Sequence, residues 1–180
     1  FWMNTWKISK DEIEYHKLHY TEPDYNPPAD LLNWPGNGDV ASGQAAILAP
    51  FHDENANGIY EPLEGDYPLI RGDETIFFIF NDDRPHSETS GTPLGVEVHG
   101  MAYAFDMPDD SAFNNSVFLH YDIYNRSGNT FYETYLGVYT DLDLGYPWDD
   151  FIGCDVSRGC YFTYNGSNDD EVYGQPPPAQ

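Results

Sequence analysis

Apolar and polar residues alternate with a strand's period through much of the second half of the chain. From Gly95 to Phe105, Val96, Val98, Ala102 and Ala104 fall on one face. Glu97, His99, Met101, Tyr103 and Phe105 fall on the other. Over 113–125, Val117, Leu119, Tyr121 and Ile123 oppose Phe118, His120, Asp122 and Tyr124. Over 131–140, Tyr132, Leu136 and Val138 oppose Tyr135, Gly137 and Tyr139, and a further strand is expected from Cys160 to Tyr164. Period-two patterning between turn residues predicts half-buried strands. Ile76-Phe77-Phe78-Ile79-Phe80, an unbroken apolar run between Gly72-Asp73-Glu74 and Asn81-Asp82-Asp83, predicts a buried one.

A helical pattern occurs in one place. Ser9-Lys10-Asp11-Glu12 fits a capping box, with Ser9 as N-cap, and Ile13, His16, Lys17 and Tyr20 then share one face. Residues 21–50 read as irregular, broken by Pro23, Pro27, Pro28 and Pro35 and by the turn Gly36-Asn37-Gly38-Asp39. The expected fold is therefore all-β: an antiparallel β-sandwich or jelly roll with long calcium-bound loops and one short N-terminal helix. Residues 1–50 supply the helix and a wrapping segment, 51–175 the calcium-binding sandwich, and 176–180 a proline-rich end. The chain starts at Phe1 and stops at Pro176-Pro177-Pro178-Ala179-Gln180. It reads as a piece of a longer, processed protein, with other domains of that parent as partners.

Composition strengthens the strand reading. The 15 Tyr, 11 Phe and 4 Trp are residues that favour sheets. Charge narrows the function. With 31 acidic residues against 7 basic, the formal charge is −24. That surface repels phosphate backbones and anionic lipid, so nucleic acid is excluded as a partner. No stretch approaches the ~20 apolar residues a membrane helix requires, so membrane insertion is not expected. So much negative charge strains a compact chain, and divalent cations would relieve it.

The strongest chemical motif lies where the charge is dense. Asp53, Asn55, Asn57, Gly58 and Glu64 match the calcium-loop pattern D-x-[DN]-x-[DN]-G-x5-E at every specified position. Calcium takes about six to eight oxygen ligands. Short side chains at alternate positions converge on it, glycine permits the sharp turn, and a glutamate at the twelfth position closes the shell. Ile59 offers a backbone carbonyl, Glu61 a water-mediated contact, and Asp66 a further oxygen beyond the loop. Pro50, Pro62 and Pro68 argue against flanking helices, so this is a calcium loop among strands and turns, not a full EF-hand. A solvated acidic turn is the alternative.

A second constellation, Asp141, Asp143, Asp149, Asp150 and Asp155, gathers around Gly145 and Gly153. Carboxylates so close repel unless a cation lies between them, which predicts a second divalent site. A catalytic carboxylate pair is the sharper alternative. Cys154 and Cys160 bracket a short loop and are expected to pair in an extracellular protein, with two free thiols as the alternative. His99 and His120, with Glu97 and Asp122, are either sheet histidines satisfied by carboxylates or a metal or hydrolytic site. Trp34 and Trp148 are candidate platforms for sugar, Trp34 also reading as an anchor for its loop. Asn114-Asn115-Ser116, Asn125-Arg126-Ser127 and Asn165-Gly166-Ser167 match N-x-S.

Several stretches carry a family resemblance. They are Gly58-Ile59-Tyr60, Gly65-Asp66-Tyr67-Pro68, Gly72-Asp73-Glu74, Asn81-Asp82-Asp83, Gly95-Val96-Glu97-Val98, Asp141-Leu142-Asp143-Leu144-Gly145 and Asp149-Asp150-Phe151-Ile152-Gly153-Cys154-Asp155, with Tyr164-Asn165 after it. Together they resemble a family of large secreted Bacteroidota proteins that carry a C-terminal sorting domain for type 9 secretion. The resemblance runs from about Trp6 to the end. It implies export across the outer membrane and a secreted or cell-surface location. Asp110-Ser111-Ala112 is similar to the O-glycosylation acceptor of these bacteria, with Ser111 as the modified residue. The resemblance brings no catalytic residues. The expected function is a secreted, calcium-stabilised structural or adhesive surface protein, with self-assembly into an extracellular filament or coat as one form of it. A carbohydrate-binding module, with glycan as partner, and a secreted hydrolase are the alternatives.

Overall fold

Thr5–Ser9 forms the first strand, β1, and its last residue caps the helix that follows. The Ser9 hydroxyl accepts the Glu12 amide while Glu12 reaches back to the Ser9 amide, so helix α1 (Lys10–His19) begins with the predicted capping box. Ile13 and His16 are its buried residues. This computed structural model describes residues 4–87 and 89–173. The proline-rich end at 176–180 lies outside them.

The chain is β-rich, with antiparallel sheets. Strands β2 (Phe51–His52) and β3 (Tyr67–Pro68) pair across the Asp53–Asp66 segment. The principal sheet has the order β1-β4-β5-β6, with β4 at Glu74–Asn81, β5 at Val96–Ala104 and β6 at Phe118–Asn125. Two one-turn helices, α2 (Ala29–Leu32) and α3 (Ser111–Asn114), interrupt the connections. Further along the chain, β7 (Asp150–Asp155) and β8 (Cys160–Asn165) form a hairpin of their own.

The chain divides into two compact units, 1–129 and 130–180. The division does not fall at residue 50, because the N-terminal segment shares the first unit's core. Ile8, Ile13, Leu31, Trp34 and Ala49 pack with Tyr60, Phe77 and Met101. Trp34 is 3 % exposed, lies against Phe77 and donates its indole N–H to the Pro50 carbonyl. It anchors its loop and presents no ring face to a sugar, which removes it as a platform.

Register decides which face of the principal sheet meets this core. Phe77 is opposite Trp6 on β1 and Met101 on β5, and Met101 is opposite His120 on β6. The other face carries Ile76, Phe80, Leu119, Tyr121 and Ile123, all exposed. The alternation that marks 117–123 as a strand thus turns its apolar side away from the core. Residues 131–140, equally well patterned, form no strand. A strand requires a hydrogen-bonding neighbour, and none of the described residues supplies one there.

Candidate functional site

In the first unit, the Asp53–Glu64 loop folds around its own side chains. Asp53 accepts the Asn57 amide at 3.2 Å and the Gly58 amide at 2.6 Å. Asn55 accepts the Asn57 amide at 3.1 Å, and Asn57 accepts that of Ile59 at 2.8 Å. Positions one, three and five are therefore drawn inside one turn. Gly58 makes the turn possible, with φ of 79° in the left-handed region. Glu61 folds back to receive the Asn57 side-chain amide. Pro62–Glu64 forms a 3-10 turn that ends the loop on exposed Glu64, and Gly65 follows with φ of 105°.

Two residues outside the pattern hold this loop. Asn37 bonds the Tyr60 backbone in both directions, accepting its amide at 2.7 Å and donating to its carbonyl at 2.8 Å. Asp66 is fully buried, and its two oxygens accept the Glu54 amide at 2.8 Å and the Glu61 amide at 2.7 Å. Its oxygens are engaged by backbone at both ends of the loop. Asp66 thus clamps the two ends of the loop together. Beneath it, burial lowers the His16 pKa, opposed by the backbone and charge of Asp66.

In the second unit, the acidic constellation divides. Asp150 and Asn165 are opposite one another at one end of the β7–β8 hairpin, and Asp155 and Cys160 at the other. Five residue steps along the strand separate Asp150 from Asp155, about 16 Å. Asp155 therefore cannot share an ion with Asp149 and Asp150. It caps the hairpin turn instead: the Ser157 hydroxyl, then Arg158, holds its carboxyl below the usual range. Asp141 and Asp143 are exposed beside half-buried Leu142 and buried Leu144. Asp149 and Asp150 remain together. Asp150 Oδ2 accepts the Leu144 amide at 2.7 Å, and the Ser167 hydroxyl lies 3.1 Å from Asp149 Oδ2.

Asp170 closes this loop as Asp66 closes the first, and sequence reasoning missed it. It is 1 % exposed and accepts the amides of Tyr146, Val172 and Tyr173 at 2.9, 2.8 and 2.7 Å. The Tyr146 amide, against the cost of burial, holds its carboxyl below the ordinary range. A Cβ on Gly145 would stand 2.5 Å from its oxygens, so glycine is required for the approach. No local sequence signal marks Asp170, because it lies 24 residues from the Tyr146 amide it accepts.

On the β7–β8 hairpin, Cys154 is opposite Tyr161 and Cys160 opposite Asp155, so the two cysteine side chains leave opposite faces. They are free, exposed thiols, and the expected disulfide is not formed. Trp148 is 85 % exposed. Ser111 is exposed at the start of α3, whose N-cap is Asp110. His99 bonds Glu97 at 2.9 Å, and Glu97 also receives Arg126 at 2.7 Å. Burial opposes ionisation of Glu97, yet Arg126 and then His99 keep its pKa low. His120 lies 3.3 Å from Asp122. Both histidines line a cleft of about 380 Å³ with Met101, Tyr124 and Arg126. The His99 ring is thus satisfied by a carboxylate of its own strand, while His120 Nε2 also lies 3.4 Å from the Arg71 guanidinium. Among the described residues no three His, Cys, Asp or Glu side chains converge as a ready-made metal cage. A loop that draws on asparagine and backbone oxygens is compatible with that. No helix among them is long and apolar enough to cross a membrane. No family model, curated protein or solved structure matches the chain.

Proposed function

We propose that this protein is a secreted, calcium-stabilised structural or adhesive component of an extracellular surface. The observation that carries the proposal is the Asp53–Glu64 loop. Its first, third and fifth residues turn inward around Gly58, and Asn37 and Asp66 hold it from outside. A calcium ion would draw on Asp53, Asn55, Asn57, the Ile59 carbonyl and Glu64, with Glu61 at the water-mediated position. Its role is structural: binding only the folded state, it stabilises by mass action. Millimolar extracellular calcium suits such modules, whose affinities are about 10⁻⁴–10⁻³ M. The charge of −24 supports the same reading, since bound divalent ions offset self-repulsion.

The sandwich belongs to this proposal. The exposed apolar face bearing Ile76, Phe80, Leu119, Tyr121 and Ile123 is the kind of surface a second sheet covers. Exposed Tyr132, Tyr135 and Tyr139 add area for assembly. Carbohydrate binding is favoured by one observation, the open indole of Trp148. Retention of one glycan class on an array, lost in Trp148→Ala, would establish it.

A thermal melt tests the main proposal. In millimolar calcium the wild-type Tm rises above its value in chelator, and Glu64→Ala removes the part of the rise due to this loop while leaving the chelator value unchanged. Equal melting of wild type with and without calcium rejects it.

A further inference from the structure

Buried polar groups are nearly always hydrogen-bonded, so those without partners call for an explanation. Among the described residues, five buried side-chain polar atoms have none. Four of the five fall at one place: Asp149 Oδ1, Asp150 Oδ1, Asn165 Oδ1 and Thr163 Oγ1. Asp150 is directly opposite Asn165, and Thr163 shares their face of the β7–β8 hairpin one step along. Thr163 has no exposed surface at all. Asp149 joins them at Ser167, whose hydroxyl lies 3.1 Å from Asp149 Oδ2 and 3.3 Å from the Asn165 amide nitrogen.

The orientation of each oxygen is fixed. Asp150 turns Oδ2 to the Leu144 amide, which leaves Oδ1 inward. Asp149 has Oδ2 at Ser167. Asn165 commits its amide nitrogen to the Ser167 carbonyl at 2.9 Å, so its inward atom is the oxygen. Two carboxylate oxygens, an amide oxygen and a hydroxyl are therefore shut away from solvent, and the hydroxyl is the one donor among them. A buried carboxylate oxygen without a partner is costly, and two carboxylates together repel as well. A water molecule supplies only two protons. A hard divalent cation satisfies all four oxygens and offsets both charges.

We propose that Asp149, Asp150 and Asn165, with the Thr163 hydroxyl, form a second calcium site in the 130–180 unit. It rests on the calcium reading above but uses none of the first loop's residues. The donors are all oxygen, which favours calcium over zinc or copper. Asp141, Asp143 and Asp155 are not required. Asp150→Asn keeps an oxygen for the Leu144 amide and places an NH₂ donor among the orphaned acceptors. This one change therefore abolishes the site without emptying it.

Calcium titration of the full chain by calorimetry, for wild type, Glu64→Ala and Asp150→Asn, tests the proposal. The expected result is two sites in wild type, with a different one lost in each variant. In chelator, Asp150→Asn melts no lower than wild type. Two sites surviving in Asp150→Asn overturn the proposal. So does a single wild-type site that Glu64→Ala abolishes, which would leave the first loop standing. One site abolished by Asp150→Asn but not by Glu64→Ala upholds this site and rejects the loop. No calcium binding by wild type rejects both. Should Asp150→Asn fail to fold, Asn165→Asp decides: the added charge tightens one site by roughly tenfold, and an unchanged titration overturns the proposal.

Discussion

His16 and Asp66 meet under the first loop, and each makes a separable prediction. The His16 ring is buried, with Nδ1 at 3.0 Å from the Tyr25 hydroxyl and Nε2 unpartnered. Burial holds its folded pKa below the ordinary 6.5. The unfolded chain therefore binds this proton first as pH falls. Its contribution is complete above about 6.5 and is lost as pH drops below that value. Urea melts between pH 7.5 and 5 should show wild type losing stability relative to His16→Gln across that window. Parallel curves would contradict the assignment. Asp66→Ala leaves the Glu54 and Glu61 amides without their charged acceptor, a loss of about 2 kcal/mol. Because these two bonds form without an ion, the loss should already appear in chelator, whereas Glu64→Ala acts only in calcium. The turn of the Asp53–Glu64 loop was legible in sequence because the residues that make it are close along the chain. The clamps were not, since Asn37 lies 23 residues from the Tyr60 it bonds and Asp170 lies 24 from Tyr146.

Helices and strands follow the same division between local and distant causes. The capping box of α1 involves only Ser9 and Glu12, and the sequence alone identifies it. Ser9→Ala should cost about 1 kcal/mol, measured by urea denaturation. Strands β4, β5, β6 and β8 were legible from period or apolar run. Strand β1 was hidden because Thr5–Ser9 runs directly into the helix cap, and β7 because Asp149 and Asp150 read as turn ligands. The disulfide failed for a reason of the same kind. Proximity in sequence suggested it, but hairpin register sends Cys154 and Cys160 to opposite faces. Two free thiols should titrate per native chain under non-reducing conditions, and the Tm should not change with reductant. A blocked pair of thiols would contradict the register.

Taken over all 180 residues, net charge opposes the compact state. With a formal −24, the folded chain repels itself, and screening weakens that repulsion. Adding salt from about 10 to 150 mM in chelator should raise Tm, and the increment should shrink in calcium because bound ions already offset part of the charge. An equal increment in both conditions would separate the charge from metal binding. The β-rich character was readable from the aromatic strands, but the placement of the core was not. Trp34 and Leu31, in a stretch with no periodicity, fill the core, while the well-patterned Leu119, Tyr121 and Ile123 lie outside it. Periodicity reports that a face is apolar and not what covers it.

The proposed function turns on an ion in the Asp53–Glu64 loop. Anomalous scattering from crystals grown in several millimolar calcium would locate it. A strong peak is expected inside the loop, with oxygens of Asp53, Asn55, Asn57, Ile59 and Glu64 at about 2.3–2.6 Å. An ordered loop with no peak, its carboxylates facing water, would contradict the proposal.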